Sequence, residues 1–213
     1  MKTSNVVDHI TGKTFESKVR TSTGHFLQRE QDAVVARIEE RIAAFAMIPV
    51  DHGEGMQVLH YGEGQKYEPH FDYFKDHENT KHGGQRVATV LLYLSDVEQG
   101  GETIFPKGKF VMGEPGTAGA DHEAASRQPG VSSCARGKLH VKPRRGDALL
   151  FWNTMMNGHE DDMSLHGGCP VIKGNKWTAT KWMRVGPYGS KKEIEIRAKM
   201  EERRKLGKPV VEK

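Results

Sequence analysis

The spacing of apolar residues between positions 28 and 47 predicts a helix. Four apolar residues recur there at intervals of four, four and three, which places them on one helical face. These residues are Val34, Ile38, Ile42 and Phe45. Charged residues occupy the other side, and Pro49 marks the end of the pattern. We therefore expect an amphipathic helix that buries this apolar face.

Beyond this helix the apolar pattern changes to one typical of short strands. Six segments are rich in β-branched or aromatic residues, and glycine-rich turns such as Gly62-Glu63-Gly64 separate them. The predicted strands are Met56–Tyr61, Tyr67–Tyr73, Arg86–Leu94, Leu139–Lys142, Asp147–Trp152 and Lys176–Val185. A helix followed by many short strands favours an α+β fold that is mainly β. We expect a jelly-roll core supported by N-terminal helices.

Length and charge are typical of a globular protein with one domain. The 213 residues suit a single core, and we place the domain at 1–189. The net charge of +4 resides in residues 190–213, which hold nine basic and five acidic side chains, whereas the rest of the chain is balanced. A nucleic-acid-binding protein needs basic residues clustered on its folded body, so this class is not favoured. Opposite charges four residues apart predict a helical tail over 191–206.

Two further features concern the organisation of the chain. No apolar run reaches the ~20 residues needed to cross a bilayer, and no signal peptide or anchor is visible. Residues 106–133 are dominated by proline, glycine, alanine, serine and charged residues, without a sustained apolar period. A segment of this length inside a compact domain is typical of a functional loop, so we expect a lid there.

The strongest chemical signal lies in the segment EPHFD at 68–72. Residues two apart on a strand project to the same face, so His70 and Asp72 would converge while Phe71 faces a core. One imidazole and one carboxylate make two thirds of the two-histidine, one-carboxylate triad that holds ferrous iron. For the third ligand we favour His166, because its flanking glycines let the backbone come close to a metal.

The chain contains a second histidine-x-aspartate pattern, formed by His159 and Asp161. It follows an Asn-Gly pair within a polar run, which is typical of a solvated loop and not of a strand. Such a pattern also arises by chance in a chain with 11 histidines. We therefore place the metal at His70 and Asp72.

A second chemical signal begins ten residues after His166. Alternation along this predicted strand places a cation, two hydroxyls and an indole on one face, an unusual set for an apolar core or an exposed surface. The residues on this face are Lys176, Thr178, Thr180 and Trp182. The set suits a barrel interior that binds a small dianion. Lys176 would pair with a carboxylate, and Thr178 would add a hydrogen bond.

Four segments of the sequence together resemble a known family. They are HYGEGQKYEPHFDYF (60–74), HGGQRVATVLLYLSDVEQGGETIFP (82–106), KPRRGDALLFW (142–152) and LHGGCPVIKGNKWTATKW (165–182). These segments are similar to the catalytic domain of plant and algal prolyl 4-hydroxylases, and the resemblance extends over residues 5–188. It implies a double-stranded β-helix and a procollagen-proline-type 4-dioxygenase. Such an enzyme uses Fe(II), 2-oxoglutarate and ascorbate, and it acts on proline-rich peptides or proteins.

The resemblance also implies roles for particular residues. Iron would be held by His70, Asp72 and His166, and Lys176 would bind the distal carboxylate of 2-oxoglutarate. The other residues that match the co-substrate pocket are Tyr61, Thr103 and Trp182. The residues that match the peptide-binding surface are Arg20, Ser22, Glu54, Tyr67 and Arg86. The 106–133 segment does not match the family closely.

The only two cysteines, Cys134 and Cys169, could pair or stay free. A bridge would close a loop of about 35 residues and stabilise the fold by roughly 3–4 kcal/mol on the chain-entropy relation. It would suit an oxidising compartment. The family resemblance implies the lumen of the endoplasmic reticulum or the Golgi.

Two other functions are compatible with the same motifs. One is a 2-oxoglutarate oxygenase that acts on a different residue or on a small molecule. The other is a metal-binding jelly-roll module without catalysis. The sequence shows no heptad and no obvious apolar stripe, so a monomer is compatible with it.

Overall fold

The computed structural model describes residues 20–108 and 131–189, the backbone of three short strands before residue 20, and four scattered positions after residue 189. The predicted lid over 106–133 lies mostly outside these residues, and so does the predicted helix over 191–206. Within the described part, no helix is long and apolar enough to cross a membrane.

The described elements comprise one α-helix, two short 3-10 helices and fourteen strands. The helices are α1 (Ala33–Ala46) and the 3-10 turns Val50–His52 and Asp162–Ser164. The first seven strands are β1 (Lys2–Thr3), β2 (Asn5–Val7), β3 (Thr14–Glu16), β4 (Thr23–Leu27), β5 (Met56–Tyr61), β6 (Tyr67–His70) and β7 (Arg86–Tyr93). The remaining strands are β8 (Gln99–Gly100), β9 (Thr103–Phe105), β10 (Leu139–Val141), β11 (Ala148–Trp152), β12 (His166–Gly168), β13 (Val171–Lys173) and β14 (Lys176–Arg184).

The strands form two main antiparallel sheets that enclose a cavity. The six-stranded sheet has the order β1-β4-β5-β14-β7-β11, and the four-stranded sheet has the order β10-β9-β12-β6. Two further pairs, β13-β8 and β2-β3, complete the topology. Side chains from both main sheets line the cavity between them. This arrangement confirms the predicted α+β, mainly β class and its jelly-roll core.

Five of the six predicted strands agree with observed strands to within one residue at each end. The prediction for Tyr67–Tyr73 was too long, because the strand ends at His70 and a bend follows. The missed strands with described side chains are β4, β8, β9, β12 and β13. Most of these have only two or three residues, which is too short for an alternating pattern to stand out from a loop.

Helix α1 begins and ends with recognisable caps. The Asp32 carboxylate accepts hydrogen bonds from the backbone N–H groups of Val34 (2.8 Å) and Val35 (2.9 Å). At the other end Met47 adopts a left-handed conformation with φ of 55°, which ends the helix before the predicted Pro49 boundary.

The buried face of α1 differs from the predicted one. Val34 and Phe45 are more than half exposed, at 58% and 53%, so their predicted burial was wrong. The buried residues are Val35, Glu39, Ile42, Ala43 and Ala46. The helix is rotated toward this face because the Glu39 carboxylate accepts a hydrogen bond from the ammonium group of Lys181, itself buried on β14. Because Glu39 is charged, it did not count toward the apolar spacing from which the helix face was predicted. The predicted buried face was therefore incorrect.

The apolar core lies between α1 and the outer face of the six-stranded sheet. Its buried members are Ile42, Ala46, Met56, Ala88, Val90, Ala179 and Met183. Removing apolar side chains from water stabilises the fold by about 1.5–3 kcal/mol for each large residue. One face of β14 therefore packs in this core, and its opposite face lines the cavity.

The structure contains a disulfide between Cys134 and Cys169, with the two Cα atoms 5.8 Å apart. The sequence left open whether these two cysteines pair or stay free, and in the structure they are paired. It joins a turn that follows residue 130 to the residue after β12, and Ala135 packs with Ile104 and Cys169 beside it. The turn is therefore held against the four-stranded sheet.

Candidate metal centre and its cavity

His70, Asp72 and His166 bring three metal-binding side chains together. The two carboxylate oxygens of Asp72 lie 3.6 Å from the Nε2 atoms of His70 and His166, respectively. All three candidate ligand atoms lie within 4.8 Å of one another. Among the described residues, no other group of three or more His, Cys, Asp or Glu side chains has this arrangement. The cluster can therefore hold one metal ion from one side.

Strand pairing explains why two distant histidines meet. β12 runs antiparallel to β6, and in this register His166 lies directly opposite His70. Asp72 reaches the cluster from the bend after β6, so the predicted strand alternation does not explain its position. Phe71 is partly buried and stacks on the buried Tyr73, with ring centres 4.6 Å apart.

Backbone contacts orient both imidazole rings. The Nδ1 atoms of His70 and His166 lie 2.9 Å from the carbonyl oxygens of Glu68 and Ser164, respectively. An Nδ1–H donor in this position leaves the Nε2 lone pair directed at the cluster. Burial, and secondarily the nearby His166, lower the pKa of His70 to about 3. His70 is therefore neutral at physiological pH, as a metal ligand must be.

A hydrogen-bonded chain holds the carboxylate of Asp72. The Thr89 hydroxyl donates to Asp72 Oδ2 at 2.6 Å, and the Asn153 amide donates to the Thr89 hydroxyl at 2.9 Å. Burial alone would raise the pKa of Asp72, but His166 and His70 lower it to about 2. The carboxylate is therefore ionised and fixed in orientation before a metal arrives.

The cluster opens into a cavity that Lys176 also lines. The Lys176 ammonium donates to the carbonyl oxygen of Gly101 at 2.7 Å and lies 5.7 and 5.8 Å from the ring centres of Tyr61 and Tyr93. Burial lowers the pKa of Lys176 to about 8. The cavity thus presents the buried ammonium group of Lys176 to a ligand, together with polar groups from both sheets.

The other residues predicted to contact a co-substrate also line this cavity. They are Tyr61, Thr103, Thr178 and Trp182. The predicted alternation along β14 is correct, because Lys176, Thr178, Thr180 and Trp182 all face the cavity. The indole N–H of Trp182 is buried and has no hydrogen-bond partner among the described residues. A ligand in the cavity could accept this hydrogen bond.

The residues predicted to bind a peptide fall into two groups. Arg20 and Tyr67 line the cavity, with the Arg20 guanidinium 5.1 Å from the centre of the Tyr67 ring. Tyr67 also stacks on His70, with ring centres 3.6 Å apart, so it forms part of the wall around the metal ligands. Ser22 is fully buried beneath this wall.

Glu54 and Arg86 form the second group, behind Trp182. The Glu54 carboxylate accepts two hydrogen bonds from Arg86, at 2.6 and 2.8 Å, and a third from Arg184 at 2.6 Å. The Arg86 guanidinium also donates to the backbone carbonyl of Asp72 at 3.5 Å. Glu54 therefore acts on the cavity by holding Arg86 against Trp182.

The second histidine-x-aspartate pattern does not join the cluster. His159 is exposed, and the Asp161 carboxylate accepts a hydrogen bond from the backbone N–H of Met163 at 2.8 Å. Asp161 thus caps a short 3-10 turn. The sequence had predicted a solvated loop for this pattern and no metal site.

The donor set fits a particular metal and a particular kind of ligand. Two neutral imidazoles and one carboxylate on one side of an ion form the facial triad of non-haem iron sites, with the remaining positions open. A buried lysine beside hydroxyl groups suits an oxygen-rich dianion. The residues present therefore fit Fe(II) together with 2-oxoglutarate.

The fold and the site together define the class of protein. The chain belongs to the 2OG-Fe(II) oxygenase superfamily, whose sequence pattern matches residues 56–184. This match contains all three candidate iron ligands and Lys176.

Comparison with known proteins shows which members of this superfamily the chain is similar to. The chain is 55% identical over 188 residues to probable prolyl 4-hydroxylase 10 of Arabidopsis thaliana and 54% identical to prolyl 4-hydroxylase 5 of the same plant. The alignments cover 88% of this chain, and the chain spans 62% and 61% of these relatives. The similarity to plant prolyl 4-hydroxylases that the sequence motifs indicated is thus confirmed.

A solved structure supports the fold. The chain is similar to the viral collagen prolyl hydroxylase of Paramecium bursaria Chlorella virus 1, in its 2-oxoglutarate complex, with a TM-score of 0.55 and 25% identity. The similarity covers 78% of this chain and 79% of the viral protein. It confirms the double-stranded β-helix.

Sequence reasoning missed several residues that shape the site. Thr89 and Asn153 orient Asp72, and Phe151 packs against His166 with ring centres 4.5 Å apart. No spacing rule links these residues to the histidines, because strand pairing alone brings them close. The alternation within β7 could have indicated that Thr89 faces the same way as Leu91, but not that Asp72 lies within its reach.

Proposed function

We propose that this chain is a prolyl 4-hydroxylase that transfers an oxygen atom from O2 to C4 of peptidyl proline, with 2-oxoglutarate as co-substrate. One observation carries the proposal: the His70, Asp72 and His166 cluster shares a single cavity with the buried cation Lys176. An iron ligand set and a dianion site in one enclosure are the two parts that 2-oxoglutarate-dependent oxidation requires.

In this proposal the chain supplies geometry and charge. Fe(II) would be held by His70, Asp72 and His166, and the distal carboxylate of 2-oxoglutarate would pair with Lys176. Together the bound iron and 2-oxoglutarate supply the oxidising chemistry, in which one atom of O2 enters succinate with release of CO2 and the other enters the substrate. Thr89 keeps the Asp72 carboxylate oriented, and no side chain has to act as a general acid or base.

Two aromatic–cation pairs support peptidyl proline as the substrate. Arg20 lies over Tyr67 and Arg86 lies over Trp182, and both of these aromatic rings line the cavity. Proline-rich peptides adopt the extended polyproline II helix at little entropic cost, and aromatic surfaces recognise this helix well. The names of the plant and viral relatives point to the same substrate class.

We also propose a lumenal location and a role for ascorbate. The disulfide between Cys134 and Cys169 suits an oxidising compartment such as the endoplasmic reticulum or the Golgi. Ascorbate would return oxidised iron to Fe(II) after turnovers that fail to oxidise the peptide. Both points rest on the proposed function and on the family resemblance.

Mass spectrometry of a short poly-L-proline peptide tests the function. The peptide is incubated with the protein, Fe(II), 2-oxoglutarate and ascorbate, and succinate is measured in the same samples. We expect one added oxygen atom for each hydroxylated proline, matched by at least an equal amount of succinate. The Asp72→Ala variant should form neither product.

A matched control separates loss of the metal site from general damage. His159→Ala alters a histidine of the second histidine-x-aspartate pattern, which is exposed and outside the cluster, so this variant should retain activity. Succinate without oxidised peptide would assign a different substrate to the oxygenase. Iron-loaded protein that forms neither product would contradict catalysis and favour a metal-binding module.

A further inference from the structure

Glu102 is a buried acidic residue next to the co-substrate cavity that the proposed mechanism does not use. Its side chain is only 2% exposed. One carboxylate oxygen accepts a hydrogen bond from the backbone N–H of Ser132 at 2.9 Å, and the other accepts one from the Ser132 hydroxyl at 2.8 Å. Both donors are neutral, so these bonds orient the carboxylate but do not neutralise its charge.

The turn that carries Ser132 is anchored at three points. Cys134 is bonded to Cys169, Ala135 packs into the same small core, and the Ser132 hydroxyl accepts a hydrogen bond from the backbone N–H of Ala135 at 3.3 Å. The backbone carbonyl of Glu102 also accepts a hydrogen bond from the Cys169 N–H at 2.8 Å. Glu102 is therefore fixed from both its side chain and its main chain.

This fixed position sets Glu102 beside the groups that surround Lys176. Its neighbour Gly101 supplies the carbonyl oxygen that the Lys176 ammonium contacts, and its other neighbour, Thr103, lines the cavity. Among the described residues, none of the ion pairs within 4.0 Å involves Glu102. Its charge acts on Lys176 through a water-poor interior, where such interactions are strong.

The two effects on Lys176 oppose each other. Burial favours the neutral amine and lowers the pKa of Lys176 to about 8, whereas the negative charge of Glu102 favours the ammonium form. Without Glu102, more of the lysine would be neutral at physiological pH. A neutral amine cannot pair with a carboxylate, so ligand binding would then require the uptake of a proton.

We propose that Glu102 is a positioning residue whose fixed charge keeps Lys176 protonated and ready to bind 2-oxoglutarate. This inference rests on the proposed function, because it assigns 2-oxoglutarate to the cavity. The Ser132 turn and the disulfide fix the carboxylate, which forms no ion pair with Lys176 that would compete with the co-substrate.

Calorimetric titration of 2-oxoglutarate into Mn(II)-loaded protein tests the inference without catalytic turnover. The titration is repeated between about pH 6.5 and pH 9.5, on the wild type and on Glu102→Gln. Glutamine has the shape of glutamate. Its amide oxygen can accept from the Ser132 N–H, and its amide nitrogen can donate to the Ser132 hydroxyl oxygen, so the variant removes the charge while keeping both contacts. Repeating the titration in buffers of different ionisation enthalpy gives the number of protons taken up on binding.

We expect the affinity of the wild type to fall above about pH 8, because the ammonium form is lost as the pH rises through the pKa of Lys176. In Glu102→Gln this fall should begin at a lower pH. A shift of about one pH unit would lower the affinity near pH 8 about fivefold. Proton uptake at that pH should rise in parallel. Below about pH 6.5 the variant should bind no more weakly than the wild type.

Glu98→Gln is the matched control, because Glu98 lies just before β8, close to Glu102 in the chain, but is exposed and paired with Lys173 at the surface. Its pH profile should coincide with that of the wild type. Equal pH profiles for wild type and Glu102→Gln would overturn the inference. A uniform loss of affinity at every pH, with a lower melting temperature, would also overturn it in favour of a purely structural role. Wild-type protein that binds no 2-oxoglutarate at any pH would overturn the proposed function as well.

Discussion

The guanidinium carbon of Arg86 lies 3.9 Å from the centre of the Trp182 ring, so a cation covers one face of an indole that borders the cavity. Glu54 holds this guanidinium through two hydrogen bonds. The pair is thus rigid before any ligand binds, and it presents a flat, partly charged surface beside the metal centre.

Replacing Arg86 should weaken the binding of the peptide but not of the co-substrate. In Arg86→Ala we expect the KM for a proline peptide to rise at least tenfold, which corresponds to about 1.4 kcal/mol. The KM for 2-oxoglutarate should stay nearly unchanged, because Lys176 keeps its contacts. Steady-state kinetics with each substrate varied in turn measures both values. Arg37→Ala, an exposed change on α1, serves as the control. A parallel rise in both KM values would contradict this assignment.

Thr89→Val should weaken metal binding without disturbing the fold. Valine has the shape of threonine but cannot donate to Asp72 or accept from Asn153. Loss of such a partner behind a metal ligand costs about 10- to 100-fold in metal affinity. Competition with a chromophoric chelator measures the change, and Thr89→Ser should restore most of the affinity. Unchanged metal affinity in Thr89→Val would show that Asp72 needs no such support.

Removing the disulfide should lower stability by an amount set by loop length. The bridge closes a separation of 35 residues, so the Cys134→Ser/Cys169→Ser variant should lose about 3–4 kcal/mol of unfolding free energy. Urea unfolding gives this value, with the slope m checked for changes in the unfolded state. A reducing agent should destabilise the wild type by a similar amount and leave the variant unaffected. If the reducing agent destabilised both proteins equally, its effect would not come from the disulfide, and the prediction would be contradicted.

The buried pair between Glu39 and Lys181 gives a stability prediction on the other side of the sheet. Both side chains are only 1% exposed, so Glu39→Gln would leave a buried ammonium without its counter-charge. We expect a loss of about 3–5 kcal/mol from this single change. The double variant Glu39→Leu/Lys181→Met removes both charges and should recover most of it. Glu40→Gln, on the exposed side of α1, should have little effect. Urea unfolding of all three variants measures the differences, and a double variant as unstable as Glu39→Gln would contradict the prediction.

The sequence predicted those features that depend on local periodicity or on residue type. Alternation along β14 correctly placed Lys176 and Trp182 on one face, because nine consecutive residues follow the strand period. Histidine and aspartate side chains are so suited to metals that His70, Asp72 and His166 could be chosen before any fold was known. The meeting of these residues depends on the register between β6 and β12, which no local pattern contains.

Other features could not be predicted, because charge and polarity are ambiguous in a sequence. Glu39 and Glu102 read as surface residues, yet both are buried because a partner far along the chain satisfies each of them. The same ambiguity misplaced the buried face of α1. Buried acidic residues become recognisable only when the tertiary structure shows what donates to them.

The two faces of β14 give protein engineers two nearly independent sets of positions. Substitutions at Thr178 and Thr180 would alter what the cavity accepts, whereas substitutions at Ala179 and Met183 would alter only how the sheet packs against α1. Lys181 is an exception to this independence. It lies on the face toward α1, but its ammonium also donates to the backbone carbonyl of Glu54. A library that varies the cavity-facing positions and keeps Lys181 could therefore explore new substrates on an undisturbed scaffold.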